Sequence, residues 1–266
     1  MTALTLPAAQ VRRPLGGWRL ADTGASVGRS LRRSLRTPDT LIMGIALPVM
    51  LMLLFVYVFG GSIEGDGRYV DYVVPGIVLL CAGYGASTTA TGVAQDLVGG
   101  LMNRFRTLPM RPSAVLTGHV VESLVRNAVS TVLVVGVAYA AGFRPTAGLG
   151  DWIGTAGLVG LYVLALTWVA VCIGLVASGP AAASGFSFAI MFLPYLSSAF
   201  VRPSTMPRPL ELVATYQPVT PVTDTVRAWL VGTPGAQPWV ALAWCVGFLV
   251  VARALAVVLF RRRAGR

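Results

Sequence analysis

The chain has no lysine. All 21 of its basic residues are arginine, set against ten acidic residues and one histidine. Without lysine there is no Gly-x-x-x-x-Gly-Lys-[Ser/Thr] loop, so the chain does not bind ATP in the P-loop manner. Charge of either sign is scarce: 12% of the 266 residues carry it, about half the share found in soluble domains. With 55% hydrophobic residues and a mean hydropathy of +0.73, this reads as a polytopic membrane protein. The three cysteines, Cys81, Cys172 and Cys245, fall in three different apolar runs. They lack metal-ligand spacing and read as small buried hydrophobes. No His-Glu-x-x-His or paired-aspartate motif supports a metalloenzyme or an aspartyl protease. No aromatic-basic platform supports nucleic-acid binding.

What is present is a set of six apolar runs, each about the length that crosses a hydrocarbon core. They are read as spans at about Leu41–Gly60, Tyr72–Val93, Ser113–Ala141, Trp152–Ala177, Ala181–Phe200 and Trp239–Phe260. The expected fold is therefore an all-α membrane protein with three regions. Residues 1–38 form a tail and an interfacial helix, residues 39–260 a single six-span domain, and residues 261–266 a basic tail. Pro48 is expected to kink span one.

Six spans place both termini on one side. The N-terminal segment, the central loop and the C-terminal tail hold fourteen arginines and three aspartates; the other side holds five arginines and six acids. That asymmetry predicts cytoplasmic termini and a cytoplasmic central loop.

Two segments are amphipathic without being spans. In Gly16–Arg36, Leu20, Val27, Leu31 and Leu35 share one helical face, and Arg29, Arg32, Arg33 and Arg36 lie opposite. This is the pattern of a helix lying in the headgroup plane. In Gln95–Pro112, Leu97, Val98, Leu101, Met102, Phe105 and Leu108 fall on one face, with Asp96, Asn103, Arg104 and Arg106 mostly elsewhere. Pro109 and Pro112 end that segment. Such a helix either lies in the interface or docks into a partner.

Inside the spans, Glu122 and Arg126 sit at i, i+4 and share a face. Arg126 lies about 20 Å along span three, too deep for lipid, so the pair is expected to face protein, either as a structural pair or on a substrate path. Ala82, Ala86, Ala90 and Ala94 repeat every four residues on span two, a spacing that lets helices approach closely. Phe188, Phe192 and Tyr195 form an aromatic stripe on span five, which suits packing or an apolar substrate. Gly85-Ala-Ser-Thr88 has a faint look of the serine motif of rhomboid proteases. Ser87 would then need His119, the one histidine, as its base, which keeps an intramembrane serine protease as a remote alternative.

Val201–Pro238 is longer than a turn requires and carries two apolar patches, Leu210–Ala214 and Val222–Val231. They are expected to form short helices that dip back into the outer leaflet, joined near Tyr216, Gln217 and Pro218, with Asp224 and Arg227 paired three apart. Packed over an exit, this segment would be an outer gate.

Arg104-Phe-Arg-Thr-Leu-Pro-Met-Arg111, followed by Gly118, Glu122 and Arg126 and then Gly142-Phe-Arg-Pro145, resembles the permease of type-2 ABC exporters, in the daunorubicin-resistance branch of actinobacteria. The likeness runs from about Leu31 to Arg263. It implies two separate ATPase subunits that hold ATP and magnesium, a second permease copy (identical or related), and a coupling helix at Gln95–Pro112 seated in a groove of each ATPase. It also implies that spans two and five, with Ala82, Ala86 and the aromatic stripe, line the path at the dimer interface, and that the outer helices are re-entrant. The expected cargo is a hydrophobic or amphipathic compound moved outward across the bacterial plasma membrane; a polysaccharide or cell-envelope precursor is the alternative.

Overall fold

The computed structural model describes residues 38–60, 69–99 and 113–264. The interfacial helix expected before residue 38, and Leu101, Arg104, Phe105, Arg106 and Leu108 of the coupling segment, lie outside them. The described residues form eight α-helices and no strand: α1 (Pro38–Leu53), α2 (Tyr69–Val98), α3 (Ser113–Ala140), α4 (Leu149–Val176), α5 (Pro180–Phe192), α6 (Arg208–Tyr216), α7 (Val219–Val231) and α8 (Pro238–Ala264). Four helical stretches are long and apolar enough to cross a membrane: Tyr69–Val98, Leu116–Ala140, Leu149–Val176 and Pro238–Arg263. Two shorter apolar stretches, Gly44–Phe59 and Pro180–Leu196, lie where spans one and five are expected.

The helix boundaries follow local chemistry. Proline opens α1, α5 and α8, at positions where its missing N–H costs nothing. The Asp151 carboxylate accepts the Gly148 N–H at 3.0 Å and caps α4. Pro48 is buried inside α1, and the departure from α geometry comes later, where Leu54–Phe59 widens into a π-helical stretch. Span five differs from the single helix expected over 181–200. Pro194 cannot extend the backbone ladder, so α5 stops at Phe192 and Leu193–Leu196 winds as one 3-10 turn. Ser197–Phe200, although not helical, is buried.

α2 is the central helix. It is apolar or small on nearly every side and packs against α1, α3, α4, α5 and α7, as a helix hydrophobic all round must. Its alanine stripe is the reason it fits. Ala86, Ala90 and Ala94 form one cluster with Ala170 and Ala177 of the α4 region and Ala183 of α5. Gly174 marks a close approach of α4 to α2: a Cβ there would lie 2.6 Å from the Ala90 carbonyl oxygen and 2.7 Å from Val93 Cβ. Gly174→Ala is therefore expected to force α2 and α4 apart at a cost of about 1–3 kcal/mol. Gly157→Ala, on the same helix with open space around it, is expected to be neutral or to stabilise by up to about 1 kcal/mol. Thermal denaturation of the two variants in detergent checks the contrast; equal midpoints would refute it.

Candidate functional site

Each end of α2 carries a polar cluster. At the arginine-rich end the cluster joins α2 to α3. Asp96, in the last turns of α2, accepts from or pairs with His119 of α3 (Oδ2 to Nε2, 2.9 Å), and the other ring nitrogen of His119 lies 3.9 Å from Glu122. Glu122 holds Arg126 at 2.9 Å, one turn on. Arg126 then reaches back to α2, donating to the Gly85 carbonyl and to Thr89 Oγ1, both at 3.0 Å. The result is a ladder of alternating groups, Asp96–His119–Glu122–Arg126, that ties α2 to α3 over three turns. A second polar line extends it into α4: Asn127 donates to the Ser123 carbonyl at 2.8 Å, and the Ser123 and Thr167 hydroxyls share a hydrogen bond at 3.0 Å.

These residues are legible as a stripe at helical spacing on α3 (His119, Ser123, Asn127 and Ser130, beside Glu122 and Arg126). The partners of His119 are not, because Asp96 lies 23 residues away. His119 is packed against Gly92, more than a turn beyond Ser87, and its two nitrogens face two carboxylates. The structure therefore does not assemble the Ser87–His119 pairing that a serine protease needs.

At the other end of α2 the cluster is centred on Arg227 of α7, which is 5% exposed. Its three nitrogens serve three different elements. Nη1 donates to Asp224 at 2.7 Å, Nη2 to the Ser198 carbonyl at 2.7 Å, and Nε to the Tyr72 carbonyl at 3.1 Å. The guanidinium also stacks 3.9 Å from the centre of the Tyr72 ring, inside cation–π range. Burial lowers the pKa of this guanidinium; Tyr72 and Asp224 oppose the shift. The irregular turn after α5 is held by the same group: Tyr69 and Tyr72 donate their hydroxyls to the carbonyls of Phe200 and Ser198, both at 2.8 Å, and Ser198 donates to Asp224 at 2.6 Å. The α6–α7 hairpin turns at Gln217 and Pro218, and Gln217 donates to the Leu193 carbonyl at 3.1 Å. Tyr216 is exposed. The two short helices expected from the apolar patches thus exist, and the Asp224–Arg227 pair binds α7 to α2 and to the end of span five rather than lying on a polar face.

Between the two clusters the surfaces are apolar. Phe188, Phe192 and Tyr195 form a continuous row, with ring centres 4.8 and 5.7 Å apart, that runs on to Phe200. Phe188 and Phe192 are 54% and 45% exposed. Ala82 and Ala86 are covered inside the protomer at 2% and 1%, so the apolar wall open to a ligand is the aromatic one. A separate cavity of about 100 Å³ lies where α4, α5, α7 and α8 meet, lined by Tyr162, Leu193, Val219, Trp244 and Phe248 among others. Its residues come from four helices, and the only sequence hint of it is the Trp244–Phe248 pair at i, i+4. Among the described residues no cluster of His, Cys, Asp and Glu could hold a metal.

The comparisons with known proteins agree with this architecture. The family model of the ABC-2 type transporter matches residues 22–231. The chain is 27% identical over 255 residues to a "Daunorubicin resistance ABC transporter permease protein DrrB1" of Streptomyces coeruleorubidus, covering 94% of this chain and 90% of that protein. It is 24% identical over 251 residues to a "Probable doxorubicin resistance ABC transporter permease protein DrrC" of Mycobacterium tuberculosis, covering 91% and 89%. With the match spanning most of an all-helical chain that carries long apolar helices, the protein belongs to the ABC-2 type transporter family of membrane permeases.

Proposed function

We propose that the chain is the transmembrane subunit of an ATP-driven exporter of hydrophobic or amphipathic compounds, a drug or antibiotic among them. A separate pair of ATPase subunits supplies ATP hydrolysis, and a second permease copy completes the path. The arginine-rich end faces the cytoplasm, where arginines meet anionic headgroups, and the α6–α7 hairpin faces outward. The coupling segment, with Asp96 and Leu97 at its described start, receives the motion of the ATPase. The Asp96–Arg126 ladder then passes that motion into α2 and α3 as one body. Arg227, Asp224 and Gln217 hold the α6–α7 hairpin over the outer end of the path.

The observation that carries the choice of cargo is the row Phe188–Phe192–Tyr195, whose first two rings are exposed on α5, a helix without a single charged residue, and whose third follows in the 3-10 turn. Such a wall binds apolar surface, and it lacks the charged and amide groups that would hydrogen-bond the many hydroxyls of a sugar polymer. The relatives' names, which concern daunorubicin and doxorubicin resistance, point the same way. The double variant Phe188→Ala, Phe192→Ala is expected to raise KM for a hydrophobic dye about tenfold or more in inverted membrane vesicles holding the permease and its ATPase. Each lost aromatic contact contributes about 0.5–1.5 kcal/mol beyond its buried area. Unchanged KM with normal insertion would remove the aromatic wall from the path.

A further inference from the structure

Arg126 uses two of its three nitrogens in the ladder. The third, Nε, is buried and has no hydrogen-bond partner among the described residues. A buried guanidinium N–H without an acceptor is costly, and native proteins keep few of them. This one borders a notch between α1, α2 and α3, lined by Gly44, Tyr84, Gly85, Thr88, Asn127 and Ser130. The Ser130 side chain, on the next turn of α3, lines the same notch and is only 5% exposed. One donor without an acceptor and one hydroxyl therefore share the notch, whose free volume is about 10 Å³. That volume holds one oxygen atom, of water or of a ligand, and little more.

The notch adjoins the aromatic row. Tyr84, on its wall, neighbours Tyr195, the end of the stripe that begins at Phe188. An apolar surface with one convergent pair of polar groups is the usual construction of a small-molecule site, in which the polar groups set orientation and selectivity. The pair here consists of an N–H on a cation and a hydroxyl, so it selects an acceptor. It is also spatially separate in its duties from the ladder, because Nη1 and Nη2 already carry the contacts to Glu122, Gly85 and Thr89. The ladder fixes the guanidinium, which lines the notch and leaves its Nε unpaired.

We infer that the Arg126 Nε–Ser130 Oγ notch is a hydrogen-bond-acceptor subsite of the transport path, which takes a carbonyl or carboxylate oxygen of a cargo whose ring system lies on the Phe188–Tyr195 wall. Between transport events one water occupies it. This inference rests on the exporter reading above, and it narrows the cargo class from apolar compounds in general to aromatic compounds bearing an exposed carbonyl-type oxygen.

The test uses two probes of nearly the same shape, 1-acetylpyrene and 1-ethylpyrene, of which only the first has an acceptor. Their inhibition of ATP-driven dye transport is measured with the permease–ATPase complex in inverted vesicles. The infrared carbonyl band of 1-acetylpyrene is measured separately on the purified permease. For the wild type, 1-acetylpyrene is expected to inhibit about tenfold more strongly, the ratio one hydrogen bond to a charged donor implies, and its carbonyl band is expected to move to lower wavenumber on binding. Ser130→Val fills the notch without touching the ladder. It should bring the inhibition ratio towards one and abolish the band shift with thermal stability retained, and Ser130→Thr should restore both. Equal inhibition by the two probes, or a band shift that persists in Ser130→Val, overturns the subsite. If no ATP-driven dye transport occurs at all, the exporter reading fails on its own, and the band shift still decides whether the notch binds an acceptor.

Discussion

Glu122→Gln is expected to destabilise the protein by about 3–5 kcal/mol, the usual cost of stranding one partner of a buried ion pair. The Glu122 and Arg126 side chains are 15% and 11% exposed and meet at 2.9 Å. Without the carboxylate, the Arg126 charge keeps only neutral acceptors, the Gly85 carbonyl and the Thr89 hydroxyl, and His119 keeps only Asp96. The double variant Glu122→Gln, Arg126→Gln should recover much of the loss, because removing both charges also removes their desolvation cost. Thermal unfolding in detergent, followed by tryptophan fluorescence, reads both variants. A loss below about 1 kcal/mol in the single variant, the level of an exposed pair, would show that the ladder does not hold α2 to α3.

The second large effect is expected at Arg227. Arg227→Met removes three hydrogen bonds and the stack on Tyr72 at once, and leaves Asp224 with Ser198 alone. The hairpin α6–α7 and the turn at Ser197–Phe200 lose their common anchor. Amide exchange across residues 197–231 should rise by two orders of magnitude or more, as a local cost of about 3 kcal/mol implies, while exchange in the middle of α2 stays slow. Arg227→Lys should do little better, because one ammonium cannot reproduce the planar fork that serves three elements. In vesicles the Arg227→Met complex should hydrolyse ATP yet retain less exported dye, as expected of an outer closure that no longer seats. Unchanged exchange in residues 197–231 would deny Arg227 this anchoring role.

Much of this fold is written in local pattern. Apolar runs placed six elements, and proline and glycine punctuation placed their ends near Pro180, Pro218 and Pro238. The α6–α7 hairpin was legible because two apolar patches in a polar stretch cannot remain in water, and because Pro218 separates them. The composition of span five stays apolar through Phe200, but its helix is shorter because the backbone obeys Pro194. The clusters at the two ends of α2 were only half legible. Pairs at i, i+3 and i, i+4, such as Asp224–Arg227 and Glu122–Arg126, follow from helix geometry alone. Contacts such as Asp96–His119, or Arg227 with the Tyr72 carbonyl 155 residues away, depend on how the helices stack. The alanine stripe shows the same limit. Its spacing announced close packing, and only the assembled structure shows that the packing partner is α4 of the same chain, at Ala170 and Gly174.

The most direct test of the central claim is reconstitution of the purified chain in liposomes, with and without the proposed ABC ATPase subunit, followed by ATP-driven movement of a hydrophobic dye. The account predicts no ATP hydrolysis and no dye movement by the chain alone, and dye accumulation on the side away from the ATPase once both proteins and ATP–magnesium are present. ATP hydrolysis or ATP-driven dye movement by the chain alone would contradict it, as would a fully assembled pair that hydrolyses ATP and moves nothing.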